Sequence, residues 1–294
     1  MYFPYLVARG EEANSLKDLT VLGGSSKVIP ILQAFSDDDD IKYSYTALMK
    51  ACRSLIEKKN KFILLVYLDD SLGELESISN FNTYCIRGYD YTDYANINFD
   101  ENLEYALIHH HPITTINDNE LVKYHIFMPS TLMFDTYINS FPNNKIVVLA
   151  DAFIRHEPNR DYPRIDIFNS ELPFTFKSKG YVGFGDFTIL PYNSIISGQA
   201  NANDITHVIH LTHIGEDTKL YVDHYLTTPS EEPDNSRRSV KTLNKVKPNI
   251  SKYTPTCGIN KLSTLISTGV ATSLGMYKRI GIMHHIELIN SIII

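Results

Sequence analysis

Tryptophan is absent from the 294-residue chain, and cysteine occurs three times, at Cys52, Cys85 and Cys257. An odd number of widely spaced cysteines with no C-x-x-C pair argues against a disulfide framework and reads as three reduced thiols in a cytoplasmic protein. No window approaches 18 uninterrupted apolar residues, so no membrane-spanning helix is expected. The first ten residues lack a basic stretch ahead of a long apolar run, and Pro4 interrupts the short apolar run that is there, so no signal peptide is expected. Positive charge is in deficit, with 27 Lys and Arg against 34 Asp and Glu and a net charge of -7. A protein built to coat nucleic acid is normally basic, so the balance of charge carries no nucleic-acid signal. Also missing are G-x-G-x-x-G, the Walker A loop, G-x-S-x-G, H-E-x-x-H and H-R-D. Their absence sets aside the dinucleotide-binding, NTPase, α/β-hydrolase, zincin and kinase readings.

What is present is globular in kind: 43% apolar and 21% charged residues, on a length that allows one or two domains and a substantial core. Eight apolar runs stand out, at residues 27–32, 61–68, 84–87, 105–108, 124–127, 145–149, 181–184 and 207–211. Several are almost unbroken, the pattern of strands buried on both faces in a parallel sheet. Between them, residues 43–59 place Leu48, Met49, Cys52, Leu55 and Ile56 on one helical face. Shorter helices are expected over 16–22, 71–79, 117–122 and 131–140. The alternation predicts an α/β fold, a (β/α)8 TIM-like barrel forming one domain over 1–294. Two features predict a distorted barrel. Residues 151–180 hold three prolines and little helical periodicity, and 207–211 and 219–226 read as a hairpin turned through Gly215-Glu216-Asp217.

After residue 226 the chain turns polar. Over 227–251 the acidic Glu231, Glu232 and Asp234 precede the basic Arg237, Arg238, Lys241, Lys245 and Lys247. This stretch reads as a solvated loop and a charged helix, or as a contact for phosphate or an acidic partner. C-terminal helices are expected over 258–292. The run Asp37 to Asp40 reads as a loop or a helix start.

In a (β/α)8 barrel chemistry sits at the C-terminal ends of the strands. The polar residues that follow the apolar runs are Gln33, Asp69 and Asp70, Arg87 and Asp90, His109 to His111, Ser130, Asp151, Asp186, and His210 with His213. Converging carboxylates and imidazoles hold a divalent cation or act as general acid and base. An Asp taken alone also caps helices at such positions. In the His triplet, His109 and His111 share one side of a strand and His110 takes the other. Two glycines in Gly183-Phe-Gly185-Asp186 mark a close approach beside the carboxylate. Nineteen tyrosines are present, and Tyr84, Tyr89, Tyr91 and Tyr94 crowd one segment with Asp90 and Asp93. They form either a recognition surface or a half-buried cover over the barrel.

The opening Met1-Tyr-Phe-Pro-Tyr-Leu6 with Arg9 and Glu12, the run Lys27-Val-Ile-Pro-Ile, Asp151 and Tyr162-Pro163 occur in a telling order. Gly183-Phe-Gly-Asp-Phe187, His207-Val-Ile-His-Leu and Gly281-Ile-Met-His-His-Ile286 complete it. Together they resemble the bacterial and phage "beta protein"-like family. The resemblance implies a TIM-type barrel in phage-conflict gene neighbourhoods, some members lying beside nuclease-like partners. The expectation is a component of an antiviral defence system that binds or hydrolyses a phosphorylated or nucleotide-like ligand at the strand-end rim. Asp151 and Asp186 would be catalytic and would hold a divalent metal ion, while His210 and His213 exchange a proton. Arg9, Arg87, Asp90, His109 and His111 would bind the ligand. A non-enzymatic sensor docking its partner through the tyrosine-rich segment, and a stand-alone lyase or isomerase, are the alternatives.

Overall fold

The computed structural model describes residues 1–8, 10–34, 41–66, 72–114, 116–190 and 205–293, with backbone only over 41–45. Arg9, Asp37 to Asp40, Asp69 and Asp70 lie outside the described residues. Eight parallel strands close a barrel. They begin with β1 (Tyr2–Val7), β2 (Ile31–Gln33), β3 (Phe62–Leu65) and β4 (Cys85–Asp90). They continue through β5 (Glu104–His109), β6 (Val122–Phe127) and β7 (Ile146–Ala150). The chain then leaves the barrel for a short strand, β8 (Ile165–Ile167), before β9 (Gly183–Asp186) pairs with both β7 and β1 and completes the ring.

The membership of the ring differs from the sequence reading. Tyr2–Val7, interrupted by Pro4, is the first barrel strand. The run at 207–211 lies outside the ring, in β10 (His207–Ile214), which pairs antiparallel with β11 (Leu220–Thr227) as the expected hairpin. β8 joins the free side of β11, so a three-stranded antiparallel sheet, β10-β11-β8, stands against the barrel.

The interior is a packed core of Phe3, Tyr5, Ile31, Ile63, Ile86, Ala106, Ile108, Ile126, Val147 and Leu149. Residues at alternate positions face outward into a second core shared with the helices and with Leu220 and Val222 of the small sheet. The two glycines of β9 face inward. A Cβ at Gly185 would lie 2.0 Å from the Phe3 carbonyl oxygen, and one at Gly183 would lie 2.4 Å from the Phe3 ring. The close approach expected here is therefore that of the Phe3 ring and backbone, on the side of the strand opposite Asp186.

Helices complete the outer layer unevenly. α1 (Gly10–Asp18) and α2 (Ile41–Glu57) pack beside one another, α2 burying Leu48, Ala51, Cys52 and Leu55. Single-turn helices α3 (Phe81–Tyr84), α4 (Asp135–Ile138) and α5 (Leu172–Thr175) follow, and no helix forms over 117–122. The polar stretch contains α6 (Asn235–Val246), capped by the Asp234 side chain on the Arg237 amide. Arg238 is not solvent-facing. It is buried and donates to the carbonyls of Glu232, Ile205 and Pro233.

α7 (Cys257–Thr268) starts on the Thr256 cap and stops at Gly269, whose φ of +63° suits glycine. α8 (Leu274–Ile292) packs between α1, α7 and β10. Lys278 pairs with Glu12, and Arg279 with Glu11 and Asp18, so the last helix is tied to the first. No helix among the described residues is long and apolar enough to cross a membrane.

Candidate functional site

The C-terminal mouth of the barrel is lined by residues in phase with its inward-facing side chains. Tyr5 and Gln33 come from β1 and β2, and the Tyr5 hydroxyl donates to Gln33 Oε1 at 2.8 Å. Asp90 follows Ile86 and Gly88 along β4, and His110 follows Ala106 and Ile108 just beyond β5. The two form a carboxylate–imidazole pair, His110 Nε2 standing 3.6 Å from Asp90 Oδ2, with each side chain 35% exposed. Asp90 is held from behind, since its Oδ1 accepts from the Thr92 amide at 2.9 Å and the Thr92 hydroxyl at 2.8 Å. The Ser130 hydroxyl donates to the His110 carbonyl at 2.6 Å and ties the next loop to the same point. Asp151, exposed and in phase with Val147 and Leu149, stands at the end of β7. Phe187 packs its ring 5.0 Å from that of Tyr5.

The other residues read from the sequence lie elsewhere. Arg87 alternates to the outside of β4 and pairs with Glu76 at 2.6 Å. His111 is exposed beyond the strand end. Asp186 faces outward under α8 and is buried. It accepts from the Tyr2 hydroxyl at 2.8 Å and the Thr188 amide at 2.8 Å, and His285 Nε2 lies 3.3 Å from its oxygens. Asp151 and Asp186 therefore do not meet: one stands at the mouth, the other in the layer between barrel and helix. Among the described residues, no group of three or more His, Cys, Asp or Glu side chains is arranged to hold a metal ion.

His109 sits in a closed ladder on the outer side of β5 and β6. Its Nδ1 meets the Tyr137 hydroxyl at 2.8 Å and its Nε2 meets His125 Nδ1 at 3.0 Å. His125 Nε2 meets Asp118 at 3.1 Å, and Lys145 donates to Asp118 at 2.8 Å. The ring of Phe127 stacks on His109, and those of Tyr91 and Phe141 surround it. Burial, then the neighbouring His125 and His110, holds the His109 pKa well below the ordinary range. Tyr91 is 2% exposed, and its hydroxyl accepts from the Asn117 amide at 2.6 Å. Tyr84, Tyr89 and Tyr94 are half-buried, so the tyrosine segment is a cover over the barrel.

His210 and His213 belong to the small sheet. The strand register puts His210 opposite His224, and their Nδ1 atoms lie 2.6 Å apart in a hydrogen bond. Burial lowers both: His210 falls well below the ordinary range and His224 to about 4, although Asp166 pulls the latter back up. Asp166 Oδ2 lies 3.2 Å from His224 Nε2 and 2.8 Å from His156 Nε2. His213 Nδ1 is 3.4 Å from Asp223. Asp223 is also held by Arg164 at 2.8 Å, by the Tyr253 hydroxyl at 2.5 Å and by Lys252. Burial raises the Asp223 carboxyl, but Lys252 and Tyr253 outweigh it and the net shift is downward.

Sequence reasoning passed over Tyr5, His156, Arg164, Asp166 and His224 as site residues, and from the histidine triplet it selected His109 and His111, whereas His110 lines the mouth. The hairpin turn did carry the signal for His224, because fixing the turn fixes the pairing opposite His210. Fold and site define a closed parallel α/β barrel with a polar strand-end mouth and an added flanking sheet. No family model, curated protein or solved structure matches the chain.

Proposed function

We propose that the barrel mouth is an acid–base site for a small polar ligand, of the phosphorylated or nucleotide-like class expected from the sequence. The observation that carries this reading is the Asp90–His110 pair. It joins the ends of neighbouring strands, it is partly open to solvent, and Asp90 is fixed by Thr92 so that its second oxygen is left for the imidazole. In this arrangement Asp90 orients His110, and His110 takes a proton from, or gives one to, the ligand or an attacking water. A positioned acid or base of this kind contributes roughly 10²–10⁴-fold to a rate. Gln33, held by Tyr5, supplies an amide at the same mouth.

A cation shared by Asp151 and Asp186 does not fit this geometry, because Asp186 turns away from the mouth into its contacts with Tyr2 and Thr188. No step is routed through such an ion. Membership of a bacterial phage-conflict system beside a nuclease-like partner is the biological setting that the family resemblance supports.

The test is phosphate release from a panel of nucleoside phosphates by the wild-type chain and by Asp90→Asn and His110→Gln variants. Turnover that falls by about 100-fold or more in both variants, with unchanged thermal stability, is the expected result. Turnover retained in both would overturn the acid–base assignment. A wild-type chain that binds a nucleotide without turning it over would replace the enzyme reading with a sensor.

A further inference from the structure

We infer that the small sheet carries a second ligand site, separate from the barrel mouth, that binds an oxyanion: a carboxylate or a phosphate group. A groove of about 410 Å³ opens between β11 and α6 and is lined by Arg164, His224, Tyr225, Leu226 and Lys245. That volume suits a small organic molecule. Its lining holds two permanent cations and no carboxylate.

Both cations are already positioned. The Arg164 guanidinium lies 3.9 Å from the centre of the Tyr225 ring and is half exposed, with one edge on Asp223. An arginine fixed in this way keeps further donors for a planar or tetrahedral oxyanion. Lys245 donates to the Leu226 carbonyl at 2.6 Å and to Glu231 at 2.8 Å, which sets its ammonium at the groove. The nearby carboxylates Asp166, Asp223 and Glu231 are occupied by His156, Arg164 with Lys252, and Lys245 respectively.

His224 enters the lining from the edge of the strand, for its ring lies on the face of β11 opposite Tyr225, packed on Tyr162 and His210 with Nε2 3.2 Å from Asp166. The polar side chains that the groove offers a ligand are therefore those of Arg164 and Lys245.

The test is calorimetric titration of the full chain with inorganic phosphate and, separately, with acetate. Saturable binding at a site weakened at least tenfold in Arg164→Gln and in Lys245→Gln is expected. Tighter phosphate binding would assign a phosphorylated ligand, and tighter acetate binding a carboxylate. Arg164→Gln also breaks a buried pair, so the partly exposed Lys245 decides the matter. No saturable binding, or affinity in Lys245→Gln within twofold of wild type, overturns the proposal. Phosphate binding lost in Asp90→Asn would also overturn it by placing the anion at the mouth.

Discussion

Two histidine ladders flank the barrel, and they are built alike but differently surrounded. On β5 and β6 the order is Tyr137, His109, His125, Asp118, Lys145. On the small sheet it is His210, His224, Asp166, His156. In both, a carboxylate near the surface pairs with a buried imidazole that leans on a second imidazole. In the first ladder every ring nitrogen of His109 and His125 has an aligned partner, and aromatic rings close the remaining sides. In the second, one oxygen of Asp166 is divided between His224 and His156, and the opposite face of the sheet borders a groove lined by Arg164 and Lys245. The difference teaches that histidine clustering alone does not mark a site. A ladder enclosed in this way acts as a polar part of the core, and the capacity for a ligand beside the second one lies in the groove on the other face of its sheet.

The comparison is most sharply tested by removing the ring that encloses the first ladder. Tyr91→Ala deletes a buried aromatic 4.3 Å from His109 and is expected to cost about 3–5 kcal/mol in urea unfolding. A cost near zero would mean that the first ladder is open after all. Next in size is the response to acid. The His224 pKa is depressed to about 4 from 6.5, so the unfolded chain takes up its proton first as pH falls. Its contribution, on the order of 3 kcal/mol, is complete above about pH 6.5 and is lost as pH falls toward 4.

His284, also held at about 4 by burial, acts in the same direction. Urea midpoints measured from pH 7 to pH 4.5 should therefore fall, and fall less steeply in His224→Gln. Asp118→Asn removes the charge that Lys145 and His125 share and is expected to cost about 1–2 kcal/mol by the same assay. The smallest effect is that of Lys245→Gln, within about 0.5 kcal/mol of wild type, because its ion pair is partly exposed. A loss of stability as large as that of Tyr91→Ala would make the Lys245 contacts at the groove structural.

Much of the fold was legible in the chain. The unbroken apolar runs announced strands buried on both faces, and the barrel has the expected number of them. The same property hid the site. A strand buried on both faces shows no polar alternation, so nothing in Glu104–His109 tells which parity points inward. The triplet was placed at the rim, but that His110 faces the mouth rather than His109 or His111 could not be read from the sequence. Asp186 was misplaced for the same reason, since the glycines beside it serve Phe3 within the barrel. The first strand was overlooked because Pro4 interrupts its run, although β1 pairs with β2 and β9 on its two sides.

Local chemistry by itself determined the strands, the amphipathic helix over Ile41–Glu57, the hairpin and the caps at Asp234, Thr256 and Ser273. These depend on residues within a few positions of one another, where backbone geometry and side-chain periodicity decide. Tertiary closure alone decided which eight strands form the ring, which side of each faces the mouth, and that Asp90 meets His110 while Asp186 meets Tyr2. Those pairings join residues 20 and 184 positions apart in the chain, Asp90 with His110 and Tyr2 with Asp186. They exist only because filling one barrel interior settles the rotation of every strand at once.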